Sequence, residues 1–95
     1  MKGKIIKRKA ENKLNSEENH LKLVSKGGDH YEYDLIYKGE QIGFFQISRG
    51  SKEFGKKLVG RMARQIGISS AQLQGIEKCT FWASDFIKHS KLITN

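Results

Sequence analysis

Alternation of apolar and polar side chains predicts a small antiparallel sheet in the first half of the chain. Over residues 30–37, every second side chain is a tyrosine or a leucine, which is the pattern of a strand that buries one face. The Lys38-Gly39 pair predicts a tight hairpin turn, after which residues 41–48 form the returning strand. A shorter apolar stretch at 21–24, which ends near two glycines, predicts a third strand.

The predicted two-residue loop also fixes the register of this hairpin. It pairs Leu35 with Ile42 and Tyr33 with Phe44 on the buried face of the sheet. The opposite face is then predicted to hold a mixed set of side chains, namely His30, Glu32, Asp34, Phe45 and Ile47.

The strongest periodic signal predicts a helix directly after the sheet. Apolar side chains recur at every fourth position, at Phe54, Leu58, Met62 and Ile66. Ser51 is the predicted N-cap of this helix. Gly67 is the type of residue that follows the end of a helix.

Shorter helices are predicted at both ends of the chain. Residues 4–14 place apolar side chains near helical spacing. Ser69 and Gln72 have the spacing of a capping box for a helix that ends near Glu77. Residues 82–92 predict a last helix. Its packing residues would be Phe81, Trp82, Phe86 and Ile87. The order α-β-β-β-α, followed by one or two C-terminal helices, predicts an α+β fold with one three-stranded antiparallel sheet.

The charge pattern points to a polyanionic partner. The 95 residues include 18 Lys and Arg against 10 Asp and Glu, a formal net charge of +8. Residues 1–13 and 49–64 each hold six basic residues and one acidic residue, whereas residues 14–48 hold three basic and six acidic ones. Such basic blocks attract nucleic acid. A membrane partner is not predicted, because no segment resembles a hydrophobic anchor.

Composition excludes several classes of protein. The length suits one domain, residues 1–95, and no apolar run approaches the roughly 18 residues that a membrane span requires. The single cysteine, Cys79, cannot form an internal disulfide or a Cys-based zinc site, and the N-terminal stretch lacks the apolar segment of a signal peptide. We therefore expect a cytoplasmic protein.

Chemistry that requires a metal or a cofactor has no support in the sequence. The three histidines, His20, His30 and His89, are not spaced as a metal pair, and no glycine-rich phosphate loop occurs. We predict no metal site and no cofactor. RNA cleavage requires neither, since the 2′-hydroxyl of RNA can attack the adjacent phosphate when one group transfers a proton near neutral pH. His30, which opens a strand directly after a glycine-rich turn, is the candidate for that group.

A resemblance strengthens this hypothesis. Residues 21–33, which contain the turn Gly27-Gly28-Asp29-His30, resemble the HicA-type mRNA interferase toxins. Residues 49–58 and 62–68 look like the basic helix that follows the hairpin in that family. The resemblance spans roughly residues 4–69. It implies a HicA-like core over residues 1–69 and leaves 70–95 as a C-terminal helical extension. Asp29 stands where the family has serine.

The resemblance implies a fold, a site and a partner. The fold would be that of a double-stranded-RNA-binding domain, His30 would be the catalytic residue of a metal-independent endoribonuclease, and the partner would be a HicB-like antitoxin. In such domains the helix after the sheet contacts phosphates. The predicted phosphate-binding residues are Arg49, Lys52, Lys56, Lys57, Arg61 and Arg64.

An alternative function is a non-catalytic regulator that binds RNA or DNA. Residues 62–78 match the pattern of a helix-turn-helix, with Gly67 in the turn. The second helix would then offer Gln72, Gln74 and Lys78 to DNA. The predicted hairpin is foreign to the all-helical domains that carry this motif, so RNA is favoured over DNA.

Overall fold

Four helices and one three-stranded sheet make up the described part of the chain. The computed structural model describes residues 2–27, 31–47 and 53–93. The elements, in chain order, are α1 (Gly3–Leu14), β1 (Leu21–Ser25), β2 (Tyr31–Tyr37), β3 (Glu40–Ile47), α2 (Lys56–Gln65), α3 (Ser70–Glu77) and α4 (Ala83–His89). The predicted α-β-β-β-α order and the α+β class are confirmed, and two further helices follow.

The sheet is antiparallel with the strand order β1-β2-β3. Lys38 and Gly39 connect β2 to β3 and both have positive φ angles, 52° and 82°. Positive φ at both central residues is the geometry of a type I′ turn, which matches the twist of the strands that it joins. The predicted two-residue hairpin is therefore confirmed.

The register of the hairpin differs from the prediction. Tyr37 pairs with Glu40 and Ile36 with Gln41, but the pairing then shifts, so that Leu35 faces Gly43. Ile42 is the extra residue of a β-bulge, which moves every later side chain of β3 to the other face. The predicted pairs of Leu35 with Ile42 and of Tyr33 with Phe44 are wrong, and Tyr33 pairs with Phe45 instead.

The bulge decides which aromatic side chains enter the core. Phe45 and Ile47, predicted for the open face, are fully buried, whereas Phe44 is 45% exposed. The core lies between all four helices and the face of the sheet that carries Phe45 and Ile47. Its largest fully buried side chains are Phe45, Phe86, Ile6, Leu14, Leu21, Leu35, Ile47, Ile66, Leu73 and Ile76.

The C-terminal helix is shorter than predicted. α4 ends at His89, because Ser90 leaves the helix and donates its hydroxyl to the carbonyl oxygen of Ile66 at 2.7 Å. Phe81 and Phe86 are buried as predicted, but Trp82 is 49% exposed. Trp82 instead lies beneath the ammonium group of Lys13, 4.5 Å from the ring centroid.

The two ends of α2 are built differently. The helix begins at Lys56 with Gly55 as its N-cap, without a side-chain hydrogen bond, so the predicted cap at Ser51 is wrong. At the other end, the N–H of Gly67 bonds to the carbonyl of Arg64 and that of Ile68 to the carbonyl of Ala63. This is a Schellman motif, and Gly67 has the positive φ, 73°, that it requires.

Candidate nucleic-acid interface

A row of cations follows the solvent-facing side of α2. Lys57, Arg61 and Arg64 recur at spacings of four and three residues and all three are exposed, so they share one helix face. We call these three residues the α2 stripe. It spans about 10 Å at the helical rise per residue. Val59, Met62 and Ala63 point the opposite way, into the core.

The helix is held against the edge of the sheet. The side-chain oxygen of Gln65 accepts the backbone N–H of Gln46 in β3 at 2.9 Å. Gln46 belongs to an edge strand, so this contact satisfies a backbone donor that would otherwise face solvent. It also fixes the rotation of α2, which turns the α2 stripe away from the core.

The first turn of α2 carries charge of the unfavourable sign. Lys56 and Lys57 lie there, and the turn contains no acidic residue. A positive charge near the N-terminus of a helix opposes the helix dipole, at a cost of about 0.3–1 kcal/mol each. Helix stability alone therefore does not account for these lysines, whereas a bound anion would compensate for them.

Three predicted site residues, His30, Arg49 and Lys52, lie outside the described residues. The residues that flank them are described. Tyr31 directly follows His30 in sequence, and it is the register partner of Ile47, the last residue of β3. The chain therefore enters β2 and leaves β3 at neighbouring positions on one end of the sheet.

Helix α1 adds a charged cluster near this end that sequence reasoning missed. The ammonium group of Lys7 lies 5.3 Å from the centre of the Tyr31 ring and 2.7 Å from the carboxylate of Glu11. The hydrogen bond that the Lys7 ammonium group donates to Glu11 raises the pKa of Lys7. Burial raises the pKa of the nearby Tyr33 phenol, and the Glu11 charge raises it further. No sequence signal links a residue of α1 to β2, because they meet only in the fold.

The open face of the sheet is mixed in character. One row across the three strands consists of Val24, Asp34 and Phe44, of which the first and last are 46% and 45% exposed. The carboxylate of Asp34 lies 3.5 Å from the ammonium group of Lys26 and accepts a hydrogen bond from Gln41. The charge of Asp34, which was predicted for this face, is thus partly compensated by a neighbouring cation.

The far end of the sheet holds a pocket of about 580 Å³. Two of its lining residues, His20 and Lys38, have positive φ angles of 57° and 52°, and the N–H of Lys38 bonds to the carbonyl of His20 at 2.9 Å. The full lining is Ser16, Glu17, His20, Lys22, Ile36, Lys38 and Gly39. The mixture of acidic and basic groups gives this pocket no clear preference for an anion.

Helices α2 and α3 form a compact pair around the turn at 66–69. The predicted capping box is confirmed. The N–H of Ser69 bonds to the side-chain oxygen of Gln72, and the N–H of Gln72 bonds to the hydroxyl of Ser69. Gln74 and Lys78 are exposed. The side-chain oxygen of Gln72 is therefore committed to the helix end.

Two further classes of site were tested on the described residues. Within 2–27, 31–47 and 53–93, no group of three or more His, Cys, Asp or Glu side chains is arranged to hold a metal ion. Among the helices of those same residues, none is both long enough and apolar enough to cross a bilayer.

Comparison with known proteins found no matching protein-family model, no matching curated protein and no matching solved structure.

Proposed function

We propose that this chain is a cytoplasmic RNA-binding protein of the HicA-like kind, in which the α2 stripe binds the phosphate backbone. The observation that carries the proposal is the exposure of Lys57, Arg61 and Arg64 on the helix that directly follows a three-stranded sheet. In double-stranded-RNA-binding domains the corresponding helix contacts phosphates across a groove. The two lysines in the first turn of α2, which contains no acidic residue, support the same role.

His30 is proposed as the catalytic residue of a metal-independent endoribonuclease. In the reaction, the 2′-hydroxyl oxygen attacks the adjacent phosphorus and the bond from phosphorus to the 5′-oxygen breaks. His30 would accept the proton of the 2′-hydroxyl or donate one to the leaving 5′-oxygen. The pairing of Tyr31 with Ile47 supports this proposal. The segment that contains His30 enters β2 at Tyr31, and the segment that leads into the basic helix leaves β3 at Ile47, so these two positions are adjacent.

A HicB-like antitoxin is the proposed protein partner. This part of the proposal depends on the resemblance of residues 21–33, 49–58 and 62–68 to HicA-type toxins. Co-expression of the chain with the product of a neighbouring gene, followed by measurement of growth and of co-purification, tests it. Growth arrest that the neighbouring product does not relieve would contradict the partner assignment.

Salt-dependent RNA binding tests the role of the α2 stripe. Each phosphate contact contributes about 0.7 to the slope of log affinity against log salt for a single strand. Replacing Lys57, Arg61 and Arg64 by Gln should therefore weaken binding and reduce that slope by about 2. The matched control replaces Lys4, Lys22 and Lys38 by Gln. These three lysines are also exposed, but they lie outside α2. If both triple variants lose the same affinity, only the net charge matters and the proposed interface is wrong.

Cleavage of the same RNA tests His30. His30→Ala should lower the cleavage rate by about 100- to 10,000-fold and leave RNA affinity nearly unchanged, because affinity arises from the phosphate contacts. Asp29→Ser restores the residue that the HicA family has at this position. If the wild-type protein cleaves no RNA under any ionic condition, the catalytic proposal is wrong, but the binding proposal still stands on its own measurement.

A second candidate function is DNA binding through α2 and α3. The observation that favours it is the turn between these helices, in which Gly67 has a φ of 73° and Leu73 and Ile76 of α3 are fully buried, as a helix-turn-helix requires. Gln74 and Lys78 would then reach DNA. Gln74→Ala should abolish sequence preference on duplex DNA if this function is real, and should leave RNA affinity unchanged if it is not.

A further inference from the structure

The turn between α2 and α3 opens into a small pocket lined by three basic residues from different elements. Arg64 comes from the end of α2, His89 from the end of α4, and Lys91 from the segment that follows α4. The pocket has a volume of about 240 Å³, and none of its lining residues is acidic. Its full lining is Arg64, Gly67, Ile68, Ser69, Gln72, His89 and Lys91. We call it the α2–α3 pocket.

Backbone contacts hold the C-terminal segment against this turn. The N–H of Lys91 donates to the carbonyl oxygen of Gly67 at 2.8 Å. The hydroxyl of Ser90 is buried and donates to the carbonyl oxygen of Ile66 at 2.7 Å. A side chain at position 67 would meet the backbone nitrogen of Lys91 at 2.8 Å. The backbone of Lys91 is therefore fixed against the turn, in the lining of the pocket that Arg64 also lines.

The basic residues Arg64, His89 and Lys91 supply the positive charge of this pocket. The N–H groups of Ser69 and Gln72 are already satisfied by the capping box. What remains is a concave site with two permanent cations and one histidine. A phosphate group is the anion that such a set of donors recognises best, since guanidinium binds it through two hydrogen bonds and ammonium as a point charge.

We propose that the α2–α3 pocket binds a phosphate group of the RNA backbone and extends the α2 stripe beyond the end of α2. The inference rests on the proposed function, and it assigns a binding role to the C-terminal segment. Arg64 belongs both to the stripe and to the pocket. An RNA strand that follows Lys57, Arg61 and Arg64 along α2 would therefore reach His89 and Lys91 next.

The experiment compares two lysines that lie three residues apart. Lys91 lines the pocket, whereas Lys88 is exposed on α4 and does not line it. Lys91→Gln should reduce the salt slope of RNA binding by about 0.7, and Lys88→Gln should leave the slope unchanged. Equal effects of the two substitutions would overturn the proposal. Thermal unfolding of both variants confirms that they are folded before their affinities are compared.

Titration with inorganic phosphate separates this proposal from the proposed function. In the wild-type protein, phosphate should shift the NMR signals of Gly67 and Lys91 in a saturable manner, and added RNA should displace it. If phosphate binds there but RNA neither binds nor displaces it, the assignment to RNA is overturned and the site belongs to a free phosphate compound. If phosphate produces no saturable shift and Lys91→Gln leaves the salt slope of RNA binding unchanged, the pocket is not a phosphate site, even when RNA binds elsewhere.

Discussion

Lys91 donates its backbone N–H to the carbonyl oxygen of Gly67 at 2.8 Å. This bond joins the last described segment to the turn that ends α2. The neighbouring hydrogen bond from Ser90 to Ile66 also joins residues that are 24 positions apart in sequence. The turn thus has two functions in the fold. It reverses the chain between α2 and α3, and it provides the surface on which the C-terminal segment is fixed beside the basic end of α2.

Gly67→Ala should destabilise the fold more than the corresponding substitution at Gly39, the turn glycine of the hairpin. The positive φ of 73° disfavours a side chain, and the new Cβ would also lie 2.8 Å from a backbone nitrogen that cannot move away freely. Gly39→Ala is the matched control, because Gly39 has a φ of 82° but open space around it. Denaturant unfolding should show a loss of about 1 kcal/mol for the control and a clearly larger loss for Gly67→Ala. Equal losses would mean that the C-terminal segment does not pack on the turn.

Cys79→Gly should stabilise the protein. Cys79 follows the end of α3 with a positive φ of 63°, a conformation in which a residue with a side chain is strained by about 1–2 kcal/mol. Glycine removes that strain but gains entropy in the unfolded chain, so the expected net gain is about 0.5–1 kcal/mol. Cys79→Ala is the control and should give no gain. A lower melting temperature for the glycine variant would contradict the conformation assigned to this residue.

The thiol of Cys79 should react at a lower pH than an ordinary cysteine. A hydrogen bond from Lys13 and a further one from Lys9 lower its pKa, since both ammonium groups stabilise the thiolate. Because the thiolate is the reactive form, the rate of alkylation should rise at a lower pH than in an unfolded control peptide. Lys9→Gln should move the profile back toward higher pH. Identical profiles for the wild type and Lys9→Gln would rule out a contribution of Lys9 to the thiolate.

The β-bulge predicts that two adjacent phenylalanines contribute very different amounts to the free energy of unfolding. Phe45 is fully buried, whereas Phe44 is 45% exposed. Phe45→Ala should therefore cost about 3–5 kcal/mol in unfolding free energy, and Phe44→Ala about 0.5 kcal/mol or less. A larger loss for Phe44→Ala than for Phe45→Ala would contradict the bulge and favour the register in which Tyr33 pairs with Phe44.

The sequence predicted the elements of the fold better than their exact pairing. Periodicity located the sheet and the helices because burial of one face repeats every two or every three to four residues. The bulge at Ile42 left no such signal, since residues 42–47 contain apolar side chains on both faces of β3. Gly43 directly follows the bulge, and an added Cβ at this position would lie 2.9 Å from the side chain of Leu92. That contact joins residues far apart in sequence.

The candidate site was predictable only where it follows a single element. The α2 stripe follows from helical spacing, because Lys57, Arg61 and Arg64 are close in sequence. The helix begins at Lys56, later than the predicted cap at Ser51 implied, and Gly55 is its N-cap. His89 and Lys91 join Arg64 only through the packing of the C-terminal segment, and no spacing rule connects them.

The most direct test of the central claim is an NMR titration of the wild-type protein with a short single-stranded RNA and, separately, with duplex DNA. RNA should shift the backbone signals of Lys57, Arg61 and Arg64 in a saturable manner, with an affinity that falls as salt rises. Duplex DNA should produce smaller shifts. Shifts that are confined to Gln74 and Lys78 and appear only with duplex DNA would contradict the proposed RNA interface and favour the helix-turn-helix function.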